Sequence, residues 1–166
     1  MPNPIRQVLK QGKPFPSLED EVFVALQLAA TRTLDPWACF LRREERLTPN
    51  QYNVLRILRG AHPGGLTCGQ IAERMITRDP DVTRLADRLV RAGLARRARN
   101  EADRRVVEVH IAPEGLATVA RLDEPVGEMI RALLRPLGRD RLRALRDLLG
   151  TLLTDLGSYA PSRALP

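Results

Sequence analysis

LTCGQIAERMITRDPDVTRLADRLVRAGLARRARNEADRRVVEVHI, residues 66–111, decides the fold of this 166-residue chain. Apolar positions recur at helical spacing in LTCGQIAERM, stop at the turn ITRDP, and recur in DVTRLADRLVRAG. In that second helix Val82, Leu85, Ala86, Leu89 and Val90 form an inward stripe and Gly93 closes the helix. The opposite face carries Asp81, Thr83, Arg84, Asp87, Arg88 and Arg91. Asp79 followed by Pro80 reads as its cap and first position. A basic strand (LARRAR), a charged tip (NEADRR) and an alternating strand (VVEVHI) follow, with Val107, Val109 and Ile111 interleaved by Glu108 and His110. This is the order of a winged helix-turn-helix. Such a second helix can lie in the major groove of duplex DNA while the wing reaches an adjacent groove or the backbone.

Upstream, residues 1–17 are rich in Pro, Gly and polar groups and read as a mobile or loosely docked arm. Ser17 caps a long helix with an acidic first turn (Glu19, Asp20, Glu21), and Pro36 should kink or break it. Thr48 caps the next helix, with Pro49 at its first position and Tyr52, Leu55 and Leu58 facing inward. Thr67 is the expected cap of the helix after it. Downstream of Pro113-Glu114-Gly115 the chain is helical to about Leu134, with Pro125 a further kink, and again from Asp140 to Leu156. That last helix carries seven leucines, an apolar stripe that either completes a core or meets a partner subunit.

A formal charge of +7 favours a polyanionic partner, nucleic acid or an anionic membrane surface. Nearly all the positive charge is Arg, which genome composition alone can produce, but composition does not explain clustering. Arg84 to Arg105 holds eight Arg against Asp87, Glu101 and Asp103. Two cysteines, no signal-like apolar run and no stretch of membrane-spanning length point to a soluble, cytoplasmic protein.

The residue types give each candidate contact a job. Arg84 and Arg88, one helical turn apart, can reach guanine O6 and N7 or a phosphate, and Thr83 a thymine methyl or a phosphate. Thr67 and Gln70 lie where phosphates would pass. At the wing, Arg104 and Arg105 project from the tip, fed by Arg96, Arg97 and Arg99. Asp103 can orient the Arg105 guanidinium for a narrow minor groove, stabilise the turn, or do both. At the helix entrance, Arg78 and Asp81 join the candidate set, Asp81 being either a second cap or an acceptor for cytosine N4.

With those residues in view, the chain resembles the MarR-type winged-helix transcription regulators from about Ser17 to Leu156. The resemblance is strongest in LTPNQYNVLRILRGA, DVTRLADRLVRAGLARR and DRRVVEVHIAPEG, which hold the helix signature, the wing Asp-x-Arg (Asp103, Arg105) and the Pro-Glu-Gly exit. It implies a mainly α fold with a small β-hairpin wing: a winged helix-turn-helix domain plus N- and C-terminal dimerisation helices. The expected organisation is a flexible arm over 1–17, dimerisation helices over 18–46 and 113–157, a DNA-binding domain over 47–112, and a tail over 158–166. The expected activity is that of a homodimer reading a pseudo-palindromic operator, a repressor relieved by a small effector. The entrance Arg78-Asp79-Pro80-Asp81 departs from the small hydroxyl residues of many relatives, so operator preference does not carry over.

The resemblance also places an aromatic-acid pocket near Trp37, Phe40 and Tyr52, with Arg42 or Arg43 for the carboxylate; the alternative is that the aromatics are core. Cys39 and Cys68 raise a thiol-sensor reading, against which inert packing is expected. An effector-blind architectural protein is the remaining alternative. His62 and His110, one in a loop and one on a strand facing outward, form no metal-ligand or catalytic spacing, so neither enzyme activity nor a cofactor is expected.

Overall fold

The computed structural model describes residues 3–77, 81–100 and 102–158. The chain divides into two units, residues 1–125 and 126–166.

In the first unit, helix α1 (Pro4–Leu9) lies within the segment read as a mobile or loosely docked arm. Asn3 makes this helix possible: its Oδ1 accepts from the Ile5 and Arg6 amides, while its Nδ2 donates to Glu21 Oε1 at 2.7 Å. Helix α2 (Leu18–Glu45) starts at Ser17 as read from the sequence but runs on through Pro36. The missing amide bond falls on a wholly exposed stretch, where the freed Arg32 carbonyl can face water. Helix α3 (Pro49–Ala61) opens on a capping box in which Thr48 Oγ1 accepts from Gln51 N and Gln51 Oε1 from Thr48 N. Its Tyr52, Val54, Leu55 and Leu58 are the centre of the core.

Helix α4 (Cys68–Arg74) and helix α5 (Val82–Arg91) pack on α3, contributing Ile71 and then Val82, Leu85, Ala86 and Leu89 to that core. Gly93 adopts a left-handed φ of 72° to end α5, with Leu94 N donating back to Leu89 O at 2.9 Å. Strands β1 (Ala95–Arg99) and β2 (Val107–Ile111) then pair antiparallel, Ala95 opposite Ile111 and Arg99 opposite Val107. Leu66 adds a short third rung by exchanging both backbone bonds with Val109. Val109 and Ile111 are buried, as their alternation predicts, and Val107 is exposed.

Helix α6 (Pro113–Leu134) runs through Pro125 without a break. Its first half is tied into the first unit: Arg121 reaches Glu45 of α2 and Glu114, and donates to the buried Thr118 hydroxyl. These carboxylates push the Arg121 pKa further up. Arg59 of α3 pairs with Asp123 at 2.6 Å.

The second unit holds the end of α6, a 3-10 turn (Arg135–Leu137) and helix α7 (Gly138–Ser158). From residue 127 to residue 156 nothing is buried. Leu148 is 71% exposed and Leu153 67%, and Ile130, Leu133, Leu145, Leu152 and Leu156 are also exposed. The leucine stripe is therefore not covered within its own unit. No helix among the described residues is long and apolar enough to cross a membrane.

Candidate nucleic-acid interface

Helix α5 is divided cleanly. One face is the buried quartet, and the other exposes Thr83, Arg84 and Arg88. The cap of the helix is Asp81, whose Oδ1 accepts from Arg84 N at 3.1 Å. Asp79, which the sequence reading favoured, lies with Arg78 and Pro80 outside the described residues. The second Asp81 oxygen meets Arg84 Nε at 2.9 Å. Asp81 thus starts the helix and holds Arg84 in one orientation. The pair is solvent-exposed and adds little stability, so its effect is orientation.

Thr67 and Gln70 form the capping box of α4: Thr67 Oγ1 accepts from Gln70 N, and Gln70 Oε1 from Thr67 N. The box uses the acceptor of each side chain. It leaves the hydroxyl proton and the amide Nε2 as donors, the functions a phosphate requires.

At the wing tip, Asp103 Oδ1 accepts from the Arg105 backbone N–H at 2.9 Å, and its carbonyl accepts from Val106 N. Asp103 thus acts through turn chemistry, and its described bonds go to backbone rather than to the Arg105 guanidinium. Asp103, Arg104 and Arg105 are all exposed, as is Arg99.

Trp37 and Tyr52 meet edge to face, ring centres 6.0 Å apart, and the Arg43 guanidinium lies 5.8 Å from the Phe40 ring centre. Tyr52 is 2% exposed, and its burial pushes the phenol pKa up. Trp37 Nε1 is buried without a hydrogen-bond partner. Cys39 is exposed and Cys68 half-buried. Among the described residues no cluster of His, Cys, Asp or Glu is placed to hold a metal ion.

A sequence model of the MarR family matches residues 47–107, the span from α3 to the start of β2. The HTH-type transcriptional regulator TtmR of Methylorubrum extorquens (strain PA1) is 31% identical over 98% of this chain and 82% of its own length. The crystal structure of a MarR transcription factor from Planctomyces limnophilus is 38% identical, with a TM-score of 0.63 over 83% of this chain and 99% of that one. The chain belongs to the MarR family. The HTH-type transcriptional regulator PecS of Dickeya dadantii (strain 3937) is 34% identical over 63% of this chain, a match spanning 64% of PecS. Membership makes the chain a DNA-binding transcriptional regulator of MarR type, in a family of transcription factors and not of enzymes.

Within this MarR-family fold, two features were missed by reading the sequence. Arg97 does not feed the wing tip. Its Nε and Nη2 reach Asp87 Oδ1 at 3.1 and 2.8 Å, tying β1 to α5. The register puts Arg97 opposite the buried Val109, hence on the face turned toward the helix, and only that register reveals it. Asp87 is correspondingly half-buried rather than part of the open basic face. The second feature is Asn100, whose side chain shapes the tip. Its Oδ1 accepts from the Ala102 and Asp103 amides at 2.9 Å each. An Asn at the end of a strand is the available signal. His110, expected to alternate outward, has a side chain only 14% exposed. Its ring packs so closely on Gly65 that a Cβ there would lie 2.6 Å from Cε1.

Proposed function

We propose that this MarR-type regulator works in the cytoplasm as a homodimer on a pseudo-palindromic duplex, with α5 in the major groove and the wing on the adjacent minor groove or backbone. The observation that carries this reading is the division of α5, with its apolar face buried and Thr83, Arg84 and Arg88 presented together on the other. Arg84 and Arg88 act as base-edge readers. Arg99, Arg104 and Arg105 act as backbone or minor-groove contacts, and the donors of Thr67 and Gln70 serve phosphates. The homodimer is supported by the uncovered apolar side chains of α6 and α7 and by the exposed Leu18, Val22 and Phe23 of α2. Repression follows when the bound dimer occupies DNA that the transcription machinery needs.

Two variants separate the roles. Arg84→Ala should relax discrimination at one base pair per half-site, costing about 1–3 kcal/mol on the matched site and little elsewhere. Arg105→Ala should weaken every sequence alike, by about 1–2 kcal/mol, and lower the salt slope by about one per contact. Binding titrations on matched and mismatched duplexes at several salt concentrations read both. Uniform loss in Arg84→Ala would remove direct readout from that residue.

Release by a small aromatic acid and an effector-blind mode both have an observation behind them. The unpartnered Trp37 Nε1, beside the Tyr52 ring, is a donor that an acid could engage. The burial of Tyr52 at 2% instead commits that ring to packing, which favours the effector-blind mode. Titrating benzoate-like acids against the protein–DNA complex distinguishes them: release that Trp37→Phe abolishes supports the pocket.

A further inference from the structure

A polar string runs along one face of the hairpin from its root to its tip. At the root the His110 ring lies on Gly65, and its Nε2 stands 3.4 Å from Glu108 Oε2. The other Glu108 oxygen, Oε1, accepts from Asn100 Nδ2 at 2.6 Å. Asn100 Oδ1 in turn holds the Ala102 and Asp103 amides, and Asp103 Oδ1 holds the Arg105 amide. Root and tip differ sharply in exposure: the His110 and Glu108 side chains are 14% and 18% exposed, whereas residues 102–105 are open to solvent. The string lines a cleft of about 600 Å³ shared with Pro63–Gly65, Arg96 and Arg99, and His110 Nδ1 is buried without a partner.

We propose that Asn100, Glu108 and His110 are positioning residues of the wing, which fix the shape of the tip and make it respond to the charge on His110. The consequence for DNA rests on the reading of Arg104 and Arg105 as DNA contacts; the positioning itself does not. A neutral imidazole carries one proton for two nitrogens, and the 3.4 Å separation from Glu108 is a loose contact. A charged imidazole always carries the Nε2 proton, and its bond to a carboxylate closes to about 2.7–2.9 Å. Glu108 is then held through both oxygens, one at the root and one by Asn100, so the tip turn has less freedom. Glu108, on the same strand, is the carboxylate that faces the ring. Arg96, its cross-strand neighbour on β1, and Arg99, lining the same cleft, are the cations beside it. The Pro63–Gly65 loop packed against the ring carries no charge, and His62 before it is exposed. The string is therefore tight while the imidazole is charged and loose while it is neutral.

Amide exchange on the full-length protein without DNA reads this directly, as protection factors corrected for intrinsic exchange. From about pH 8 to about pH 6, protection of the Ala102, Asp103 and Arg105 amides should rise about three- to tenfold, the worth of one hydrogen bond. His110→Gln should abolish the rise. Glu108→Gln keeps an oxygen for Asn100, so it should retain the protection seen at high pH and lose the rise. Asn100→Ala should lower Ala102 and Asp103 protection at both pH values. Affinity for a mixed-sequence duplex at fixed salt should follow the same order. An unaltered rise in Glu108→Gln, or unaltered protection in Asn100→Ala, would overturn the proposal. Protection that behaves as stated while duplex affinity does not follow would uphold the string and remove Arg104 and Arg105 from the DNA contacts.

Discussion

Replacing Leu148 and Leu152 together by Glu is expected to turn the proposed dimer into a folded monomer and to lower operator affinity by about a hundred- to ten-thousand-fold. The two residues lie one turn apart on α7, 71% and 39% exposed in a single protomer. They contribute nothing to a core here, since no residue from 127 to 156 is buried. Charge at these positions therefore leaves the winged domain intact and acts on whatever covers the stripe. A monomer would keep every proposed DNA contact of one half-site and lose only the effective concentration that the linked second half supplies. Sedimentation gives the mass, far-UV circular dichroism the helix content, and a two-site duplex titration the affinity. A variant that stays dimeric, or a monomer that binds as tightly as before, would remove α7 from the interface.

Gly115→Ala should destabilise the protein by about 2–3 kcal/mol, even though alanine is the better helix former. Gly115 sits in the first turn of α6, where an added Cβ would collide with the Leu94 carbonyl oxygen and lie 2.9 Å from Ile111 Cγ1. That carbonyl is backbone and already accepts from Ala112 N at 3.0 Å, so it cannot turn aside cheaply. The clash pushes the start of α6 away from the root of the wing. A gain of about 1 kcal/mol in helix propensity does not offset it. For a chain of this size the expected fall in melting temperature is about 5–10 °C. An unchanged or higher melting temperature would show that the close approach is not tight.

What could be read from the sequence was local. The stripe of α5, the turn at Gly93 and the caps Ser17, Thr48 and Thr67 each depend on residues within one or two turns, and the structure has them all. The cap of α5 was harder, because Asp79 and Asp81 both flank Pro80 and either carboxylate can satisfy the first amides; the structure gives Asp81 that role. Asp103 offered two compatible local uses, and the structure has the turn bond. The Asp87–Arg97 tie, by contrast, depends on strand register and on how the hairpin leans on α5, which no short window encodes. Helix α1 was hidden for a similar reason. Its short, Pro-started sequence is marginal alone, and the Asn3–Glu21 bond that anchors it spans 18 positions.

Selection of bound fragments from random duplex DNA, followed by footprinting, tests the central claim most directly: that two copies of α5 read sequence. The account predicts an enriched pseudo-palindrome whose half-sites are centred about 10–10.5 base pairs apart, or a multiple of that, with protection on both. Fragments without a shared motif, bound with an affinity set by salt alone, would contradict it.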